Sequence, residues 1–165
     1  MTVEERLAQL ERRLRRAEDE LAIARLMASY GPLVDAGDAD AVAGLWAEDG
    51  EYDVDGWRMG SRGDIAEMVR SPAHQGLIGG GCAHFLGPVR VDVDGDNAVA
   101  VCESIVVRRN DDGGGYRVWR AGANHITLRR SAVGWQIVKR TSRALDGSAA
   151  ARELLAARAR GFLAP

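Results

Sequence analysis

From residue 82 onward the chain has room for only one kind of sheet. Four β-like runs, "CAHFLGPVRVDV", "NAVAVCESIVVRRN", "YRVWRAGANHITLRR" and "GWQIVKRTSRAL", are joined by "DGD", "DDGGG" and "SAVG". Connections of that length and turn chemistry suit antiparallel hairpins, since a parallel pairing needs a crossover of about a dozen residues or more. Before residue 82 the pattern is helical, apart from a short strand at "EYDVDG". Helices first and a meander afterwards imply an α+β fold with the helices on one face of the sheet. Three helices packed into a strongly curved antiparallel sheet leave a cone-shaped cavity.

The helical half has two characters. Val3, Leu7, Leu10, Leu14, Ala17, Leu21 and Ala24 alternate four and three apart, a heptad seam with Glu, Arg and Gln at most other positions. So narrow a stripe suits a partner helix, and residues 1–22 are read as an oligomerisation arm. The pattern continues through Ile23, Leu26, Met27, Tyr30 and Val34 to a stop at Gly37, with a kink expected at Pro32. Asp38 is placed to cap a second helix, "ADAVAGLWAED", with Trp46 in the core. "RGDIAEMVR" reads as the third helix, ended by "SPAHQG", which makes His74 a loop residue; residues 147–165 form a C-terminal helix. At 165 residues, with no repeats or linker, the chain reads as one domain over 1–165.

Composition narrows the function classes. No run approaches the roughly 18 apolar residues of a membrane span. The charged N-terminus lacks the apolar stretch of a secretory signal, so the cytoplasm is the expected location. A net charge of −2 gives no electrostatic reason to expect nucleic acid. Cys82 and Cys102 lie in expected strands without metal-knuckle spacing. With no metal cluster, phosphate loop or dinucleotide motif, no cofactor is expected.

The residues that carry chemistry are few. Asp35 closes the first core helix, where the dipole disfavours an anion by a few tenths to ~1 kcal/mol. It is either solvated in the "DAGDAD" turn or offset by a cationic or hydrogen-bond-donating partner. His84, one of three histidines, shares strand parity with Leu86 and Pro88, and both faces of that strand are partly apolar. Asn124 is the polar member of a row made by Tyr116, Val118, Ile126 and Leu128, so its amide needs partners, from substrate or from structure. His125 falls on the opposite, exposed face with Trp119, a candidate subunit contact. Tyr52 and Trp57 flank the short strand and belong to the cavity wall or the core.

The order of elements over about residues 18–146 resembles the SnoaL-like branch of the nuclear transport factor 2-like superfamily. "YGPLVDAGD" is similar to the corresponding stretch of scytalone dehydratases, bile acid 7α-dehydratases and hexachlorocyclohexane dehydrochlorinases, and "AHFLG" resembles the scytalone dehydratase motif around a catalytic histidine. The resemblance implies that Asp35 and His84 form a His–Asp dyad and that Tyr30 matches a catalytic tyrosine. It also implies that Asn124 matches a substrate-binding asparagine. An aspartate bonded to one imidazole nitrogen fixes the tautomer and raises basicity at the other, which suits removal of an acidic C–H proton with loss of water or halide. The implied activity is a cofactor-independent lyase on a small, mostly apolar cyclic substrate. Isomerase or polyketide-cyclase-like chemistry and a non-catalytic carrier or assembly subunit remain as alternatives. Where those families place a second acid, base or cation, this chain offers Glu103, Ser104, Arg109, Arg129, Arg130 or Arg143, none assignable from sequence. The resemblance further implies a homo-oligomer, a trimer before a dimer.

Overall fold

In the computed structural model, which describes residues 1–156, the helical half opens with one 33-residue helix, α1 (Val3–Asp35). A capping box starts it: the Thr2 hydroxyl accepts from the Glu5 amide (3.2 Å) and the Glu5 carboxylate accepts from the Thr2 amide (2.7 Å). The helix runs through Pro32 without a break, although the proline has no N–H to donate to the Ala28 carbonyl one turn back. Ile23, Met27, Tyr30 and Val34, spaced four, three and four, bury one face. Ahead of Asp19 no residue of α1 is buried.

α2 (Ala39–Gly44) is capped by Asp38, whose carboxylate accepts from the Ala41 amide (3.0 Å). It ends sooner than expected. Trp46 opens a strand, β1 (Trp46–Val54), and is fully buried there. A two-residue turn at Asp55 and Gly56, both with positive φ, returns the chain as β2 (Trp57–Met59). α3 (Arg62–Arg70) matches its expected span. "SPAHQG" then caps a further helix: Ser71 caps α4 (Pro72–Gly79), with proline at a first-turn position where its missing N–H costs nothing. His74 therefore sits on a helix and not in a loop.

β3 (Cys82–Leu86), β4 (Arg90–Asp94), β5 (Asn97–Arg109), β6 (Tyr116–Ser131) and β7 (Gly134–Ala144) complete the sheet, in the order β2-β1-β7-β6-β5-β3 with β4 also on β5. The first run divides at Gly87–Val89, and its two pieces pair with different halves of β5. The meander is antiparallel, whereas β1 joins β7 in parallel, so the α+β fold holds a curled, unclosed mixed sheet. Its concave side packs on α1–α3 around Met27, Trp46, Ile65, Ile126 and Ile137. α5 (Ala149–Ala156) follows; the remainder of the expected C-terminal helix lies outside the described residues. No described helix is long and apolar enough to cross a membrane.

Two irregularities matter for the site. Thr127 pairs with Lys139 and Leu128 with Ile137, which leaves Val138 as an extra residue in β7. Val106 pairs with Arg120 and Val107 with Val118, which leaves Trp119 extra in β6. An extra residue reverses which side chains face inward beyond it. Hence Tyr116 and Val118, expected on the face of Asn124, are 67% and 61% exposed while Asn124 is buried.

Candidate functional site

The last turn of α1 lies directly on β3, and a glycine permits it. A Cβ on Gly31 would collide with the backbone carbonyl of His84. This close approach carries Asp35, one turn later, to the side chain of His84. The His84 imidazole Nδ1 is 2.6 Å from Asp35 Oδ1, and the His84 backbone N–H donates to Oδ2 at 2.7 Å. The Cys82 thiol donates to Oδ1 from 3.5 Å. Burial and then the neighbouring Asp35 charge push that thiol up to about 11, so it stays protonated and serves as a donor. These donors offset the unfavourable position of an anion at a helix C-terminus. With Nδ1 held by the carboxylate, Nε2 is the ring nitrogen left to act.

His84 lines a cavity of about 550 Å³, within the usual size range of small-molecule sites. Tyr30 and Tyr52 form part of its wall, and Trp57, 59% exposed, stands at its mouth. A narrow recess continues inward from His84 past Tyr30 and Tyr52 to Arg140. Arg140 is 2% exposed, with its guanidinium 4.4 Å from the Tyr30 ring centre and 4.7 Å from that of Tyr52. Its Nε and Nη2 donate to Asn124 Oδ1 at 3.1 and 2.9 Å, and its Nη1 is buried with no partner. Burial, and then the adjacent Tyr52, raise the Tyr30 phenol well above its ordinary value, so it remains a donor.

Asn124 is not at the cavity surface. It is fully buried and donates to Ser104 Oγ (2.9 Å) and the Cys102 carbonyl (3.4 Å) while holding Arg140. The expectation of a substrate-binding amide is corrected: the amide is consumed by the guanidinium behind the wall. None of the other cations and acids weighed from sequence lines the cavity. Glu103 and Arg109 point outward, Arg130 is held by Asp19 (2.6 Å) and Asp96 (2.9 Å), and Arg129 pairs with Asp49 (3.1 Å). Arg143 is clamped by both oxygens of Asp53 (2.7 and 3.0 Å).

The lining cations are Arg108, Arg120 and Arg140, none of them expected. Arg108 lies 5.3 Å over the Trp119 ring and Arg120 is paired with Asp55. Arg140 escaped detection because simple alternation from Trp135 and Ile137 points it outward, and the bulge at Val138 reverses that. His74 was also missed. From α4 its ring lies 5.6 Å from that of His84, with Nε2 buried and unpartnered. Burial and then His84 hold its pKa below the ordinary histidine value. The signal available was "SP", which caps and starts a helix as readily as it ends one. Among the described residues, Asp35, Cys82 and His84 are spaced to share an ion, their ligand atoms within 4.8 Å of one another; in this arrangement they are bonded to each other.

Comparisons with known proteins agree with this architecture. Residues 15–141 match the SnoaL-like domain family. A nuclear transport factor 2-like protein with a cystatin-like fold from Novosphingobium aromaticivorans is 48% identical, over 90% of this chain and 96% of its own, with a TM-score of 0.87. A protein provisionally named an aromatic ring hydroxylase from the same organism is 28% identical over 78% and 90% of the two chains (TM-score 0.62). A Mycobacterium tuberculosis protein of unknown function is 26% identical over 86% and 94% (TM-score 0.69). A comparison with curated proteins gave no match. On the extent of these matches, the chain belongs to the SnoaL-like family of the nuclear transport factor 2-like superfamily.

Proposed function

We propose that the chain is a cofactor-independent lyase that eliminates water or halide from a small, largely apolar cyclic molecule. The observation that carries this reading is the 2.6 Å contact between His84 and Asp35 in the wall of the cavity. His84 Nε2 removes a proton from a carbon beside a carbonyl or comparable acidifying group. The electron pair left behind forms the new double bond and expels the group on the neighbouring carbon. Asp35 holds the ring and stabilises the imidazolium that forms, a contribution of roughly 10²–10⁴-fold in rate for a positioned base. Tyr30, kept protonated, donates to the substrate oxygen as negative charge gathers there. Arg140 behind it strengthens that donor in a site shielded from water. The imidazolium then returns its proton to a departing hydroxyl, and His74 Nε2 offers that hydroxyl a hydrogen-bonding position. Trp57 and Trp119 at the mouth suit a flat ring.

Isomerisation and cyclisation share the first step and differ in the product. A panel of cyclic β-hydroxy ketones and β-halo ketones, followed by proton NMR in D₂O, separates them. Elimination products from the wild type, lost in His84→Ala and reduced in Asp35→Asn, are the expected result. Deuterium incorporation without loss of the leaving group would assign isomerase chemistry. Binding of panel members without turnover, unaffected by His84→Ala, would make the chain a carrier or a subunit and overturn the proposal.

A further inference from the structure

The front of α1 carries a seam that the described residues of its own subunit leave bare. Val3, Leu7, Leu10, Leu14 and Leu21 are between 50% and 79% exposed. The helix is pinned to its own sheet by Asp19, which accepts from Arg130 (2.6 Å) and from the Trp135 indole (3.2 Å), and by the ion pair of Arg16 with Asp92 (3.7 Å). At about 100° per residue, Asp19 lies on the side of the helix opposite Ala17 and Leu21. Covering the seam with the chain's own domain would require α1 to roll over and surrender those bonds, along with the buried Ile23 and Met27. A second molecule can reach the seam with no such cost. A free helix of this length is marginal in water and takes its stability from packing.

The charges beside the seam say which molecule and which direction. With Leu7, Leu14 and Leu21 at a positions and Val3, Leu10, Ala17 and Ala24 at d, the e positions are Glu4, Glu11, Glu18 and Arg25. The g positions are Arg6, Arg13 and Glu20. In a parallel, in-register pair each g residue faces the e residue five places on in the other helix. The contacts are then Arg6 with Glu11, Arg13 with Glu18 and Glu20 with Arg25, opposite in sign every time, including the last, where both signs reverse together. An antiparallel pair sets g against g and e against e; aligned over Val3–Leu21 it brings Glu4 to Glu18, Glu11 to Glu11 and Arg13 to Arg13, and only Arg6 with Glu20 is opposite in sign. Within the described residues Arg6, Glu11, Arg13, Glu18 and Arg25 form no ion pair, and only Glu20 is engaged, by Arg16 at 2.9 Å.

We propose that residues 3–25 form a parallel, in-register coiled coil with the same segment of a second copy of this chain. Parallel arms must leave the assembly at the same end, so the subunits are related by a cyclic axis that runs along the coil. The test is disulfide capture in the full-length chain. Leu10→Cys places a thiol at a d position, where parallel in-register helices bring like residues together; Arg12→Cys, on the outer face, is the control. Mild oxidation is expected to link Leu10→Cys subunits and not Arg12→Cys subunits. Adding Arg6→Glu and Arg13→Glu, or Glu11→Arg and Glu18→Arg, should abolish the link. An equimolar mixture of the acidic and basic variants, one carrying a mass tag, should restore it between unlike chains only. These substitutions lie ahead of the folded domain, and circular dichroism confirms that each variant is folded. Equal linking of both cysteine variants, or linking of Leu10→Cys indifferent to charge reversal, overturns the proposal, as does a monomer by sedimentation.

Discussion

A buried cation held by an amide and no carboxylate should behave differently from one in a salt bridge, and Arg140 makes that difference measurable. Its guanidinium donates twice to Asn124 Oδ1, while Nη1 has no acceptor among the described residues. Asn124→Leu keeps the volume and removes that acceptor. The charge is then stranded in a site where it is only 2% exposed. Breaking a buried charged interaction from one side costs about 3–5 kcal/mol. For a chain of this size each kcal/mol lowers Tm by about 2–4 °C, so the expected fall is roughly 6–20 °C. Arg140→Met removes the charge itself. Relief from desolvation, about 1–4 kcal/mol by analogy with buried ion groups replaced by apolar ones, opposes the cost of orphaning the Asn124 oxygen, about 1–3 kcal/mol. The net change should lie near zero. The double variant should consequently be more stable than Asn124→Leu alone, a non-additivity of about 2 kcal/mol or more between groups in direct contact. Urea and thermal unfolding of the four proteins, read by circular dichroism, measure the cycle. If Arg140→Met is as damaging as Asn124→Leu, or if the two add, the guanidinium is a satisfied structural group and the reasoning fails. Under the proposed function, Arg140→Met also loses turnover while keeping its stability.

Gly31→Ala should push α1 off β3, because the new methyl meets the His84 carbonyl; overpacking of this kind costs about 1–3 kcal/mol. A Tm equal to that of the wild type would show that the helix is not seated as described. Burial and His84 hold the His74 pKa below 6.5, so the folded chain binds this proton less tightly than the unfolded chain. Its contribution to stability is complete above about pH 6.5 and is lost as the pH falls through that value toward the lower folded one. Melts from pH 8 to pH 5 should show the decline in the wild type and a flatter profile in His74→Asn; identical profiles would refute the assignment.

The sequence disclosed the meander, α3 and the first helix with its exposed heptad seam because each rests on a local pattern: turn residues between β runs, a serine cap, a heptad spacing. It disclosed Asp35 and His84 as neighbours only through resemblance, since the contact depends on Gly31 letting a helix lie against a strand 53 residues further on, at His84. Trp46 was placed on a helix because "LWAED" continues the spacing of α2, and pairing with β7 overrode that preference. The parallel partner of β7 was invisible for a similar reason: β1 and β7 are far apart in sequence, and no turn signal announces their pairing.

The misread faces have a single physical origin, and the same origin builds the site. Alternation predicts inward residues correctly only while every residue has a partner, and β6 and β7 each carry one that does not. The extra residue at Val138 turns Arg140 onto the inward face that alternation assigns to Lys139, which pairs instead with Glu51 at the surface (3.1 Å). The extra residue at Trp119 lets both it and Arg120 border the cavity, although neighbours on a regular strand point to opposite faces. Without the first bulge alternation would aim Lys139 at the recess beyond Tyr30 and turn Arg140 outward; without the second, the mouth would lose its ring or its cation. A regular sheet would keep the apolar core of Ile126, Leu128 and Ile137, yet it would not set the Arg140 guanidinium against the Tyr30 ring. The departures from regularity therefore fall where the elimination proposed above needs positive charge.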